Sequence, residues 1–359
     1  MKPSVFADGL LRWYDVNPRP MPWLEAKDPY KIWISEIILQ QTRVTQGWSY
    51  YLRFIETFPD VFALHEAEDS EVLKAWEGLG YYTRARNLKK AASIIVNNHG
   101  GIFPDSYPDI IRLPGIGPYT AAAVSGFAFE LPYAVIDGNV TRLISRLLCI
   151  EKPVDSREGK EIVSNYVNEA IMYALPSRFN QAIMNFGALV CKPQSPDCPS
   201  CPFIDECKAF AENKLLLVPI RLPKISKKIR FFHYFILHDK SKGHIGITQR
   251  LNNDIWKGLF EFPLVEKSRE GILNSTGIKK VLKAWNLRAA FISNNVFTTR
   301  QELTHQKITF YFYFVDLRPD EGNQNTMLHW IEKAMLEQLA MPVTLKNVIH
   351  QKVNAWIEK

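Results

Sequence analysis

Four of the five cysteines, Cys191, Cys198, Cys201 and Cys207, fall within seventeen residues in the pattern Cys-x6-Cys-x2-Cys-x5-Cys. Thiols clustered in this way read as ligands for a metal or a cluster, whereas a disulfide framework spreads an even number of cysteines along the chain. Pro199 and Pro202 stiffen the loop that carries them. Four-thiolate zinc usually takes two Cys-x2-Cys knuckles, and only one such pair is present. The uneven remaining gaps suit a cuboidal [4Fe-4S] cluster better. With every thiol engaged no coordination position stays open, so the expected role is structural. Cys149, alone in an apolar helical stretch, reads as core.

Two carboxylates could do acid–base or electrostatic work. Glu36 lies in Trp33-Ile-Ser-Glu-Ile-Ile-Leu-Gln-Gln-Thr42, with apolar neighbours for a turn on either side. Poor hydration there would raise its pKa and favour the protonated form, as a general acid requires. An ordinary exposed residue on an amphipathic helix fits the same pattern equally well. Asp137 lies in Val135-Ile-Asp-Gly-Asn-Val140, where a turn would present its carboxylate at a helix start, as a catalytic group, a cap, or both.

Between the two acids runs Leu113-Pro-Gly-Ile-Gly-Pro-Tyr-Thr-Ala121. Two glycines separated by one apolar residue permit a tight turn and the close approach of another backbone. The helix start that follows aims free amides outward, as phosphate binding requires. With Pro114, Thr120 and Ala121 in register, Leu113, Gly115, Gly117 and Thr120 form a helix-hairpin-helix signature for gripping DNA.

The elements that must position these groups change character along the chain. Residues 1–213 read as almost wholly helical, with apolar residues three and four apart in Pro29–Gln41 and Asp69–Glu77 and Gly or Pro between segments. Lys214–Arg230 carries six basic residues, no acids and two prolines, and reads as an exposed linker. Beyond it the apolar period becomes two, in Phe231–His238, His244–Arg250 and Ile308–Val315, with helical patterns near Val281–Leu287 and Met327–Ala340. The expected fold class is a mainly α N-terminal domain followed by an α+β C-terminal domain, with divisions 1–213, 214–230 and 231–359.

The chain's 359 residues are enough for two domains. Without an apolar run of eighteen residues no membrane span is expected, and the acids near the N-terminus do not fit a signal peptide, so a cytoplasmic location is expected. The net charge of +7 suggests an anionic partner, but its distribution misleads. Residues 1–213 hold 21 Lys/Arg against 25 Asp/Glu, and residues 214–359 hold 23 against 12. Charge alone would assign DNA grip to the half without the hairpin, so local geometry has to decide.

Taken together these residues resemble the helix-hairpin-helix DNA glycosylase superfamily with a [4Fe-4S] loop, and within it the adenine DNA glycosylase family. The match runs from about Trp13 to Cys207, supported by Ser35–Thr42, Gly78-Leu-Gly-Tyr-Tyr-Thr-Arg-Ala-Arg-Asn-Leu88 and Phe179-Asn-Gln-Ala182. Related glycosylase/lyases carry a nucleophilic lysine two residues after the second hairpin glycine. Here that residue is Tyr119. Without its amine no Schiff base forms there, so the resemblance implies a monofunctional glycosylase.

The resemblance also implies that Glu36 protonates adenine, that Asp137 stabilises or traps the developing sugar cation, that Tyr119 lies near the reacting nucleoside, and that Asn139 hydrogen-bonds across the site. Arg19, Trp23, Leu39 and Gln181 match the adenine pocket. Gln40, Gln41 and Tyr81 match residues that wedge into the duplex. The C-terminal domain resembles a Nudix-type fold that reads 8-oxoguanine, with Thr304 and His305 in its recognition element, although Leu303 stands where the family has Phe and His305 reads equally well as a plain loop residue. Glu261 and Glu266 after Gly258 do not complete the Nudix metal box, so nucleotide hydrolysis is not expected. Thr141 and Leu24 are minor departures. The implied partner is double-stranded DNA containing an adenine mispair, bound by a monomer. The alternatives are a mismatch-thymine or oxidised-pyrimidine glycosylase on the same scaffold and a non-catalytic iron–sulfur DNA-binding module.

Overall fold

The computed structural model describes residues 1–19, 27–40, 42, 44–223, 226–319 and 328–357. Contacts divide the chain into two compact units, Met1–Glu66 with Asn87–Pro223 and Ala67–Arg86 with Lys224–Lys359. The sequence pattern does not anticipate that residues 67–86 group with the C-terminal part. Side-chain reach explains it. Lys74 Nζ donates to the carbonyl of Glu337 at 2.6 Å, and Lys346 Nζ pairs with Glu77 at 2.8 Å.

The first unit is helical. Its core forms where Pro3–Val16, Gly138–Leu148, Arg157–Ile171 and Pro176–Leu189 meet, filled by Phe6, Leu10, Ile144, Val167, Phe179 and Phe186. The helix Pro29–Leu39 is capped by Asp28, whose carboxylate accepts from the amides of Tyr30 and Lys31. It buries residues on all faces, including Ile32, Trp33, Ile34, Ile37 and Ile38, so it is a core helix rather than an amphipathic one.

Part of the stretch expected as an exposed linker is fastened to this unit. Arg146 Nε donates to the carbonyl of Leu215 at 2.8 Å, Val154 N donates to that of Ile220 at 2.9 Å, and Val218 is buried. Leu216 and Leu217 between these anchors are exposed. Lys224 and Ile225 lie outside the described residues.

The second unit is built on an eight-stranded sheet: β1 (Lys228–Asp239), β2 (His244–Gln249), β3 (Phe260–Glu261), β4 (Leu264–Lys267), β5 (Ala289–Ile292), β6 (Phe297–Glu302), β7 (Gln306–Leu317) and β8 (His329–Glu332). At its centre β1 and β7 pair in parallel from Lys228↔Gln306 to His238↔Asp316. Period-two alternation on β7 feeds two cores. Ile308, Phe310, Phe312 and Phe314 enter one with Phe232, Tyr234 and Ile236, while Tyr311, Tyr313 and Val315 enter the other beneath the helix Ser275–Ala284.

The helix expected near Met327–Ala340 does not form. Residues 329–332 are β8 and Lys333–Glu337 is a 3-10 turn; Met327 lies outside the described residues. Tertiary pairing overrides the local pattern because β2 offers an edge. Gly246 faces Trp330, and a Cβ on that glycine would come 3.1 Å from the indole, close enough that the ring would have to give by a few tenths of an ångström.

Candidate active site

Glu36 is 6% exposed on the core helix Pro29–Leu39. Burial pushes its carboxyl up to about 7, opposed by a side-chain hydrogen bond with Tyr119 and reinforced by the nearby Asp137 charge. The Tyr119 hydroxyl is itself pushed well above its usual value, first by burial and then by the two acids. A phenol held this way keeps its proton and serves as a neutral donor to Glu36.

Tyr119 reaches this position because the hairpin delivers it. Leu113 is buried, and Ile116 N donates to the Leu113 carbonyl at 3.1 Å to close the turn. Gly115 has φ +80°, and a Cβ there would also come 2.7 Å from Asn87 Cβ, so the position needs glycine on both counts. Gly117 precedes the helix Pro118–Phe129, which lacks a side-chain cap, and a Cβ there would meet nothing within 4 Å. An uncapped helix start beside open space is the geometry of an anion site. Thr120 is buried, and its hydroxyl accepts from Gln40 Nε2 at 3.1 Å.

Asp137 caps the helix Gly138–Leu148. One carboxylate oxygen accepts from the amides of Asn139 (2.8 Å) and Val140 (2.7 Å), and the other from Asn139 Nδ2 (2.7 Å). These donors, with the positive end of the helix behind them, orient the carboxylate. Asn139 is oriented in turn, since its side-chain Oδ1 accepts from Arg142 Nη2 at 2.9 Å.

The residue that sequence reasoning missed is Arg142. Buried one turn into this helix, it also donates to the carbonyls of Gly187 (2.7 Å) and Cys191 (2.7 Å). It thereby ties the Asp137 turn to the first cysteine. Gly187 lets the two helices approach here, because a Cβ there would come 2.9 Å from the Asn139 main-chain oxygen. The only signal in the sequence is a pair of arginines, Arg142 and Arg146, four apart on a helix otherwise suited to the core.

One cavity is lined by Glu36, Leu39, Gln40, Tyr119 and Asp137. Arg19 and Gln181 gather elsewhere, around Tyr14, whose hydroxyl donates to Gln181 Oε1 at 2.6 Å and accepts from the Arg19 main chain. Trp23 and Gln41 lie outside the described residues.

Cys191, Cys198, Cys201 and Cys207 line a second, largely apolar cavity with Leu147, Phe203 and Phe210. Arg146 Nη1 lies 3.6 Å from Cys191 Sγ and donates to the Lys192 carbonyl, while Nη2 fastens the loop at the carbonyl of Pro193. Among the described residues no three of these sulfurs fall within 4.8 Å of one another. Cys149 is not core. It ends its helix half-exposed at φ 52°, with Sγ 3.6 Å from Glu212.

In the second unit a pocket brings together Tyr81, Thr304 and His305. Tyr81 has φ +47° and follows Gly80 at φ +68°, and its hydroxyl hydrogen-bonds that of Thr304. Leu303 packs on the sheet core, leaving Thr304 and His305 exposed. The carboxylates of the incomplete Nudix box are engaged by basic side chains: Glu261 accepts from Arg250 at 3.0 Å and Glu266 from Arg230 at 2.6 Å.

Residues 34–169 match the model of the HhH-GPD superfamily of base excision DNA repair proteins, and residues 233–351 match the NUDIX domain. The helical unit is thus of the helix-hairpin-helix glycosylase class, with a Nudix-like domain after it. A solved thermostable thymine-DNA glycosylase is similar at TM-score 0.55 and 28% identity, covering 58% of this chain and 97% of its own. A trapped endonuclease III–DNA covalent intermediate shares the fold at TM-score 0.52 and 23% identity, with 59% and 99% covered. The adenine DNA glycosylase of Buchnera aphidicola subsp. Baizongia pistaciae is 36% identical over 288 residues, 78% of this chain and 81% of that one. The chain belongs to the adenine DNA glycosylase family. Among the described residues no helix is long and apolar enough to cross a membrane.

Proposed function

We propose that the protein is a monofunctional DNA glycosylase that hydrolyses the N-glycosidic bond of adenine mispaired with 8-oxoguanine or guanine. The observation that carries this is the pairing, in one cavity, of a buried Glu36 pushed up to about 7 with an Asp137 carboxylate held by three N–H donors. Adenine extruded from a mispair costs a few kcal/mol, less than from a matched pair. Glu36, protonated and hydrogen-bonded to Tyr119, gives its proton to a ring nitrogen of the base. The bond from sugar to base then breaks, its electron pair leaving with the neutral adenine. Asp137 stabilises the resulting sugar cation or traps it covalently, and water completes the hydrolysis, as in two-carboxylate glycoside cleavage. Asn139 and Arg142 hold Asp137 in place. The hairpin amides bind the DNA backbone, and Tyr81, Thr304 and His305 meet the opposite base.

The cavity of four cysteines and the Arg146 clasp suit a [4Fe-4S] cluster held by Cys191, Cys198, Cys201 and Cys207. Such a group would supply a structural cross-link there, leaving the chemistry to the carboxylates. Purified protein should carry about four irons with broad visible absorbance. Stoichiometric zinc in their place would overturn this assignment.

Adenine placed opposite 8-oxoguanine, guanine and thymine in otherwise identical duplexes tests the function. Base release opposite the first two is expected, with little covalent complex on borohydride treatment, because position 119 offers no amine. Efficient trapping, or release of thymine rather than adenine, would refute the monofunctional adenine reading.

A further inference from the structure

We propose that Arg221 and Lys160 form an anion subsite in the catalytic cavity, taking a DNA backbone phosphate that flanks the extruded nucleotide. The inference rests on reading this cavity as the nucleotide pocket. Besides Glu36, Tyr119 and Asp137, the cavity is lined by Asp155, Lys160 and Arg221. Among the described residues neither Lys160 nor Arg221 forms an ion pair, whereas nearby Lys152 and Arg157 pair with Glu158 and Glu161. Asp155 is already engaged, because its carboxylate accepts the main-chain N–H of Leu222 at 3.0 and 3.2 Å.

That bond is half of a clamp. On the other side of Arg221, the Ile220 carbonyl accepts from Val154 N at 2.9 Å. Pro219 and Pro223 restrict the same strap, and Val218 anchors it by burial. An arginine between two fixed main-chain bonds is presented by a rigid backbone, although its side chain is exposed. Lys160 comes from the helix Arg157–Ile171, which begins just after Asp155.

A nucleotide entering this cavity brings its own flanking phosphates with it. A guanidinium fork matches phosphate geometry, and an ammonium lining the same cavity adds positive charge. The need is local: the segments of this unit, 1–66 and 87–223, carry 20 Lys/Arg against 21 Asp/Glu, so no net positive charge of the unit draws the strand in. A segment composed like a linker thus contributes to the substrate site.

Full-length wild type, Arg221→Gln, Lys160→Gln and Arg157→Gln should be titrated against a duplex whose adenosine carries a 2′-fluorine, which slows bond cleavage. Binding is followed across a salt series. Arg221→Gln is expected to weaken binding about ten-fold and to lower the slope of log affinity against log salt by about one, equally opposite guanine and 8-oxoguanine. Lys160→Gln should act in the same direction, and Arg157→Gln, one turn away, should leave the slope unchanged. A neutral methylphosphonate at the contacted phosphate should weaken wild type and add nothing to Arg221→Gln. An unchanged slope in Arg221→Gln, an equal loss in Arg157→Gln, or additive methylphosphonate effects would overturn the subsite alone, provided wild type cleaves the unmodified adenine duplex. A wild type that neither binds nor cleaves that duplex would sink the glycosylase reading and this inference with it.

Discussion

Asp137→Asn is expected to cut single-turnover release of adenine by roughly 10³-fold or more while leaving affinity for the mispaired duplex within a few-fold of wild type. The cap should survive, because an asparagine oxygen can still accept from the amides of Asn139 and Val140, and Asn caps a helix about as well as Asp. What is lost is the second oxygen and the charge. The new amide nitrogen would face Asn139 Nδ2, donor against donor, and turning the Asn139 amide to relieve this would give up its bond from Arg142. A neutral amide neither balances a sugar cation nor attacks it. Thermal unfolding should therefore move by no more than about 1 kcal/mol while the chemistry disappears. Turnover near that of wild type would remove Asp137 from the mechanism.

The second large effect falls on Glu36→Gln, and it has two opposite signs. Release should drop by about 10²–10⁴-fold, because the carboxamide has no proton to give at neutral pH. In wild type the rate should hold steady below pH about 7 and fall above it as Glu36 loses its proton. The stability of the variant should move the other way from its activity. The folded value near 7 lies above the ordinary 4.5, so the folded state binds the proton more tightly than the unfolded chain does. Stability therefore declines as pH rises from 4.5 to about 7, and above that the buried charge costs on the order of 3 kcal/mol. Glu36→Gln removes that cost and can still accept from Tyr119. The variant should accordingly melt higher than wild type at pH 8, with the difference closing toward pH 4.5. A flat rate profile between pH 6 and 9, or a variant less stable at pH 8, would show that Glu36 is not the buried acid proposed.

The residues along the chain announced some parts of this arrangement and hid others. The hairpin was legible because its constraint is local: φ +80° at Gly115 is a property of one residue. β7 was legible because its alternation maps directly onto the two faces of a sheet. The cap at Asp137 was legible for the same reason, since its partners are two and three residues away. Glu36 was not, because an apolar neighbourhood in sequence is compatible with either a buried or an exposed face. The helix expected near Met327–Ala340 failed because a strand edge on β2, more than eighty residues earlier, competes for it.

By itself, then, the sequence determined the helix-hairpin-helix turn, the cysteine spacing and the missing lysine at position 119. Each is set by residue type and short-range geometry. Only the tertiary structure decided that Glu36 is dry, that it meets Tyr119 and shares a cavity with Asp137, and that Arg142 ties the aspartate turn to the cysteine loop. It also decided that Arg221, in a stretch composed like a linker, lines the same cavity. The reason is physical. Burial and charge–charge proximity depend on which distant segments pack together, and residue order along the chain carries that information only through the fold.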